Sequence, residues 1–116
     1  MRLNNTLIVV TDMEQSKAFY RELFDLFVVH DFGDNVILTS GIVLQEKAQW
    51  EELIGKKVTI GNGTELFFKE RNFDNFLKKL ERYGAKVISK PTMNSWGKQC
   101  VRLEDLDGHY IEVAEI

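Results

Sequence analysis

Few side chains in this sequence can do covalent or metal chemistry: two histidines, His30 and His109, and a single cysteine, Cys100. One cysteine cannot form an internal disulfide or a cysteine-based zinc cluster, and in an apolar strand it reads as a small hydrophobe rather than a nucleophile. The chain has no glycine-rich phosphate loop, no Gly-x-Ser-x-Gly, no paired-cysteine motif and no His-Glu-x-x-His. What remains is carboxylate chemistry, with Glu65 and Glu112 as candidates, Arg102 as a basic neighbour, and Trp50, Phe67, Trp96 and Tyr110 as aromatic walls for a pocket. Glu51-Glu52 and Lys78-Lys79 read as solvated helix faces.

With 116 residues, 44% of them hydrophobic and 11% aromatic, the chain can bury a core and fits a single domain. Charged residues make up 28% but nearly cancel to −3, which argues against a broad nucleic-acid or anionic-membrane surface and leaves a small molecule or another protein as partner. Met1 to Asn5 run into an apolar stretch too short for a signal peptide or a membrane span. Together with the lone cysteine, this predicts a cytoplasmic protein.

Positioning those carboxylates requires strands and helices that the pattern supplies twice. Thr6 to Val10 is a β-branched run that reads as a buried strand, followed by a helix capped at Thr11 or Asp12 and running through about Phe24. Strands are expected at Phe27 to His30, Val36 to Thr39 and Ile42 to Glu46, then a short helix at Gln49 to Ile54. Gly55 to Gly63 holds three glycines, with a turn expected at Gly61-Asn62-Gly63. The second half repeats the order: strand Glu65 to Lys69, amphipathic helix Phe73 to Tyr83 stopped by Gly84, then strands Lys86 to Ser89, Lys98 to Leu103 and Tyr110 to Ala114. Adding 60 to Met13, Tyr20, Leu23 and Phe27 lands each time on another apolar residue (Phe73, Leu80, Tyr83, Val87), as a duplicated βαβββ module would require. The expected fold is therefore α+β, one domain over 1–116, with module one at about 1–55 and module two at about 63–116.

Several segments carry a resemblance. Ile8-Val-Val-Thr-Asp12 followed by Ser16-Lys-Ala-Phe-Tyr20 resembles the first strand and helix of the vicinal oxygen chelate group, also known as the glyoxalase/bleomycin-resistance/dioxygenase superfamily. Ser95-Trp-Gly97, Val101-Arg-Leu103, Asp107-Gly-His109 and Ile111-Glu-Val113 are similar to its final hairpin, with Leu106 in place of the usual proline. Asp31-Phe-Gly-Asp-Asn-Val36 and Gly41-Ile-Val-Leu-Gln45 extend the likeness across the chain. The resemblance implies an eight-stranded curved sheet and assembly as a homodimer, a state that exposed strand edges also favour. The fold hosts isomerases, lyases, dioxygenases, thiol transferases and antibiotic binders, so it does not choose an activity.

By that resemblance, the four metal-ligand positions fall on Asn5, Gln45, Glu65 and Glu112. The internal repeat relates Asn5 to Glu65 by 60 and Gln45 to Glu112 by 67. Alternation puts Glu112 and Tyr110 on the face opposite Ile111 and Val113, with Asn5, Gln45, Glu65 and Phe67 on the equivalent inner face. The family's histidines are replaced at Asn5 and Glu65, and neutral amides are poor ligands for zinc, nickel or iron. No cofactor is expected, although Gln45, Glu65 and Glu112 could serve a divalent metal. His30 reads as a surface residue, His109 as a turn or strand-edge residue, and Arg102 as an ion-pair partner for Glu112 or Glu65. Two readings use the site, beside a third in which the chain is a protein–protein module that kept the fold and lost its site. In one, the protein is a metal-independent small-molecule binder, similar to antibiotic-sequestering relatives, with Asn5, Gln45, Trp50, Glu65, Phe67, Trp96, Arg102, Tyr110 and Glu112 lining a site for cationic or aromatic compounds. In the other, it is a metal-dependent lyase or isomerase similar to glyoxalases, with Glu65 or Glu112 moving a proton.

Overall fold

In each half a short apolar run opens a strand, a capped helix follows, and three further strands complete a sheet. The computed structural model describes residues 1–60 and 63–116, and the chain divides into two units, Met1–Thr59 and Ile60–Ile116. Gly61 and Asn62 of the turn expected at Gly61-Asn62-Gly63 lie outside the described residues.

The first unit comprises β1 (Thr6–Val10), α1 (Met13–Phe24), β2 (Val28–Asp31), β3 (Asn35–Leu38), β4 (Ile42–Glu46) and α2 (Lys47–Ile54), in a sheet of order β1-β4-β3-β2. Asp12 caps α1 by accepting the Gln15 backbone N–H at 3.0 Å, leaving Thr11 outside the cap. Ser16, Phe19, Tyr20 and Leu23 form the buried stripe of α1; the Phe19 and Tyr20 rings meet edge to face at 5.0 Å. Opposite them, Ile8, Val10, Val36 and Leu44 are buried on alternate positions of the sheet. Lys17 ties α1 to β2 through Asp31 at 3.1 Å. The Gly33 N–H and this ammonium together hold the Asp31 carboxyl below its ordinary value. The strand expected to reach Thr39 stops at Leu38, because Thr39–Gly41 closes a single 3-10 turn in which Ser40 adopts a left-handed φ of 68°.

The second unit comprises β5 (Glu65–Glu70), α3 (Phe73–Tyr83), β6 (Lys86–Met93), β7 (Gln99–Glu104) and β8 (Tyr110–Glu115), in a sheet of order β5-β8-β7-β6. The eight expected strands are thus hydrogen-bonded as two sheets of four. Asn72 caps α3 by accepting the Asn75 N–H at 3.3 Å, and Gly84 ends it at a φ of 76° that a side chain would strain. Phe73, Phe76 and Leu80 are the buried positions of α3, and Val101, Leu103, Ile111 and Val113 are buried on one face of β7 and β8.

β6 runs four residues beyond the expected Ser89 and passes through Pro91. It is an edge strand whose pairing with β7 breaks register between Ser89 and Thr92; there a missing N–H costs no ladder bond. Among the described residues no helix is long and apolar enough to cross a membrane.

Both caps give a measurable expectation. Asp12→Ala is expected to cost about 1 kcal/mol and Asn72→Ala about the same or slightly less, read as a shift in urea midpoint at unchanged slope.

Candidate functional site

The second sheet builds one face of mixed chemistry. Arg102 in β7 is the register partner of Glu112 in β8, and Glu112 is the partner of Phe67 in β5, so the three lie in one row across the sheet. The next row holds Glu104, Tyr110 and Glu65. Ile111 and Val113 point to the opposite, buried face. The Glu112 carboxylate is deeply buried and its Oε1 receives the Arg102 Nη2, an ion pair whose arginine side is 44% exposed. A carboxylate placed out of water needs such a partner, since an unpaired buried charge is severely penalised.

Above this row the β6–β7 loop supplies a wall. Asn94 Oδ1 accepts the backbone N–H groups of Trp96 at 2.9 Å and Lys98 at 3.0 Å, while the Asn94 N–H donates to the Lys98 carbonyl at 2.7 Å. Two donors on one side-chain atom identify it as the amide oxygen. The loop so fixed presents Trp96, 70% exposed, with its ring edge-on to Phe67 at 5.9 Å and 85°. Glu65, Phe67, Asn94, Trp96, Arg102 and Glu112 line a cleft of about 570 Å³, together with Met93 and Ser95, within the usual range for a small-molecule pocket. Glu65 contributes an exposed carboxylate. Tyr110 is half-buried and does not line the cleft. Of this loop only Trp96 is among the site residues expected from the sequence; the signal for its neighbours Met93, Asn94 and Ser95 is the Asn94-x-x-Gly97 spacing, a loop pattern with Gly97 at a φ of 77°.

In the first unit the two proposed ligand positions lie apart. Gln45 is buried, accepts the Asn35 Nδ2 at 2.8 Å and donates to the Gln49 Oε1 at 2.7 Å, so its amide joins β3, β4 and α2. Asn5 precedes β1 and sits beside Gly41, where an added Cβ would come within 3.5 Å of Asn5 Oδ1. The register partner of Gln45 is Val9, four residues up the strand from Asn5, or about 13 Å. Trp50 belongs to α2 of this unit and is half-buried.

The register also revises the internal repeat. Asp12 plus 60 is Asn72, and both cap their helices, so Leu7 corresponds to Phe67. Leu7 pairs with Val43 and Phe67 with Glu112, which makes the closing-strand offset 69 (Val43 to Glu112) rather than 67. The equivalent of Glu112 is therefore Val43, and that of Gln45 is Ala114. A two-residue slip keeps every side chain on its face, so alternation alone could not reveal it.

His30 is exposed on β2 and stacks on Phe32 with centroids 6.1 Å apart. The His109 backbone closes the β7–β8 turn through Asp105, whose Oδ1 accepts its N–H at 2.9 Å. Among the described residues no group of three His, Cys, Asp or Glu side chains is placed to hold a metal ion. Of the quartet implied by the resemblance, Gln45 has its amide oxygen engaged, Glu112 is bonded to a guanidinium, and Asn5 lies apart from Gln45. This donor set does not fit a resident divalent cation.

Two βαβββ units, each with its first and last strands paired in parallel, define the architecture of the glyoxalase/bleomycin-resistance/dioxygenase superfamily. The chain belongs to the glyoxalase-like domain family, whose model matches residues 3–116. It is similar to a protein of unknown function from Agrobacterium tumefaciens, at 29% identity and a TM-score of 0.89 over 100% of this chain and 94% of that one. A glyoxalase/bleomycin resistance protein/dioxygenase family enzyme from Burkholderia phytofirmans shares the fold at 18% identity and a TM-score of 0.85, over 97% of each chain. So does a lactoylglutathione lyase from Agrobacterium tumefaciens, at 21% identity and a TM-score of 0.75, over 98% of this chain and 92% of that one. No curated protein matches the sequence.

Proposed function

We propose that this protein is a metal-independent binder of small aromatic molecules, held in the cleft of the second unit. The observation that carries the reading is the Arg102–Glu112 pair: the buried carboxylate that a catalytic metal would claim is already neutralised by a guanidinium, beside an indole and a phenyl ring. Aromatic walls bind flat rings, and the exposed Glu65 carboxylate favours a basic substituent on them. The protein acts in the cytoplasm, where its buried free Cys100 stays reduced. It works as a homodimer, which would cover the apolar side chains left exposed at the start of β2 and just before it, Phe27, Val28 and Val29.

The test is calorimetric titration of nickel, zinc and manganese into chelator-treated protein, beside a thermal-shift screen of cationic and aromatic compounds. The expected result is no stoichiometric metal binding, and ligand-induced stabilisation that Trp96→Ala abolishes. Stoichiometric metal binding lost in Glu112→Ala would instead direct work to lyase and isomerase assays. Stabilisation that survives Trp96→Ala unchanged would place the ligand elsewhere.

A further inference from the structure

We infer that the ligand of this cleft is amphoteric: an aromatic compound carrying an acidic group that meets Arg102 and a basic group that meets Glu65. The inference rests on the second unit's cleft being the ligand site, and it adds the charge pattern of what enters.

A guanidinium carries five N–H donors in a planar fork. In Arg102 the ion pair uses Nη2, on a carboxylate only 7% exposed, while 44% of the arginine side chain stays open. Glu112 therefore acts as an anchor beneath the guanidinium, fixing its orientation and leaving donors turned to the cleft. Such a preorganised fork suits a carboxylate, which it grips through two parallel hydrogen bonds.

Glu65 is the charge of the cleft that the Arg102–Glu112 pair leaves uncompensated. It lines the same cavity, is exposed, and has no ion-pair partner among the described residues. It stands two strands over from Arg102 and one row along, since Glu65 pairs with Tyr110 and Arg102 with Glu112. Sheet spacing puts the two Cα atoms about 12 Å apart, with both side chains long enough to shorten that span. A purely cationic ligand would meet the Arg102 guanidinium, and a purely anionic one the Glu65 carboxylate. A ring system with one group of each sign satisfies both, with Phe67 and Trp96 against its apolar surface.

Three naphthalene probes test this by calorimetry: a naphthoate, a naphthylmethylamine, and a naphthoate bearing an aminomethyl group on the far ring. The wild type is expected to bind the doubly substituted probe at least about tenfold more tightly than either singly substituted one. Arg102→Met combined with Glu112→Gln removes both charges of the pair together and is expected to reduce that probe to the level of the amine. Glu65→Gln is expected to reduce it to the level of the naphthoate. Should the double variant fail to fold, Arg102→Lys keeps a partner for Glu112 but lacks the fork, and several-fold weaker binding of both acid-bearing probes is expected.

Wild-type affinities equal within about twofold, or no binding of any probe, overturn the inference. So does an unchanged preference in the double variant or in Arg102→Lys. If Glu65→Gln and Trp96→Ala still weaken the amine probe in that case, the cleft remains the ligand site and only the role given to Arg102 fails. If Trp96→Ala changes the binding of none of the probes, the site itself is wrong.

Discussion

Phe76→Ala is expected to cost about 3–5 kcal/mol, the largest loss from any single truncation in the second unit. Phe76 is 2% exposed, and with Phe73 and Leu80 it forms the buried stripe of α3. Removing the ring forfeits its transfer free energy and leaves a cavity that the strands, tied by their own hydrogen bonds, cannot collapse to fill. A domain of this size is stable by only about 5–15 kcal/mol, so the variant should unfold at much lower urea concentration and show hydrogen exchange throughout α3. Phe76→Leu keeps most of the apolar volume and should lose less than half as much. Equal losses for the two substitutions would mean that ring shape, not buried volume, is what the position requires.

Arg102→Ala is expected to cost about 3 kcal/mol, out of proportion to a half-exposed arginine on a strand. The loss comes from Glu112, which remains buried and has lost the group that compensated its charge. Adding Glu112→Met to Arg102→Ala should restore most of the stability, because an apolar side chain of similar length suits the site better than an orphaned carboxylate. The double-mutant cycle measured by urea denaturation gives the coupling directly. A coupling near zero would show that Glu112 finds water or another donor when arginine is absent.

The elements of each unit were legible because their signals are local. The cap at Asp12, the glycine stop at Gly84 and the apolar spacing of α1 and α3 each act over one or two turns of chain. Alternation likewise put Glu112 and Phe67 on one face and Ile111 and Val113 on the other. What escaped were quantities set by pairing across the sheet. The register of β1 on β4, which separates Asn5 from Gln45, follows from contacts between residues far apart in sequence. A slip of two residues leaves no trace in the hydrophobic pattern. β6 runs past the expected end at Ser89 and through Pro91, because a missing N–H stops a strand only when both neighbours need it, and on an edge one side does not.

The parallel pairing that closes each sheet also orders events during synthesis. β1 emerges from the ribosome before its hydrogen-bonding partner β4, so Thr6 must wait for Ile42 before the β1 backbone is satisfied. The second unit repeats the delay, with Glu65 waiting for Tyr110. Translation therefore delivers a complete first unit while the strands of the second are still being made, which lets the N-terminal half bury its apolar run before a competing copy of the same pattern exists. A nascent chain arrested after α2 clears the exit tunnel should already resist protease across β1, whereas one arrested before β4 should not.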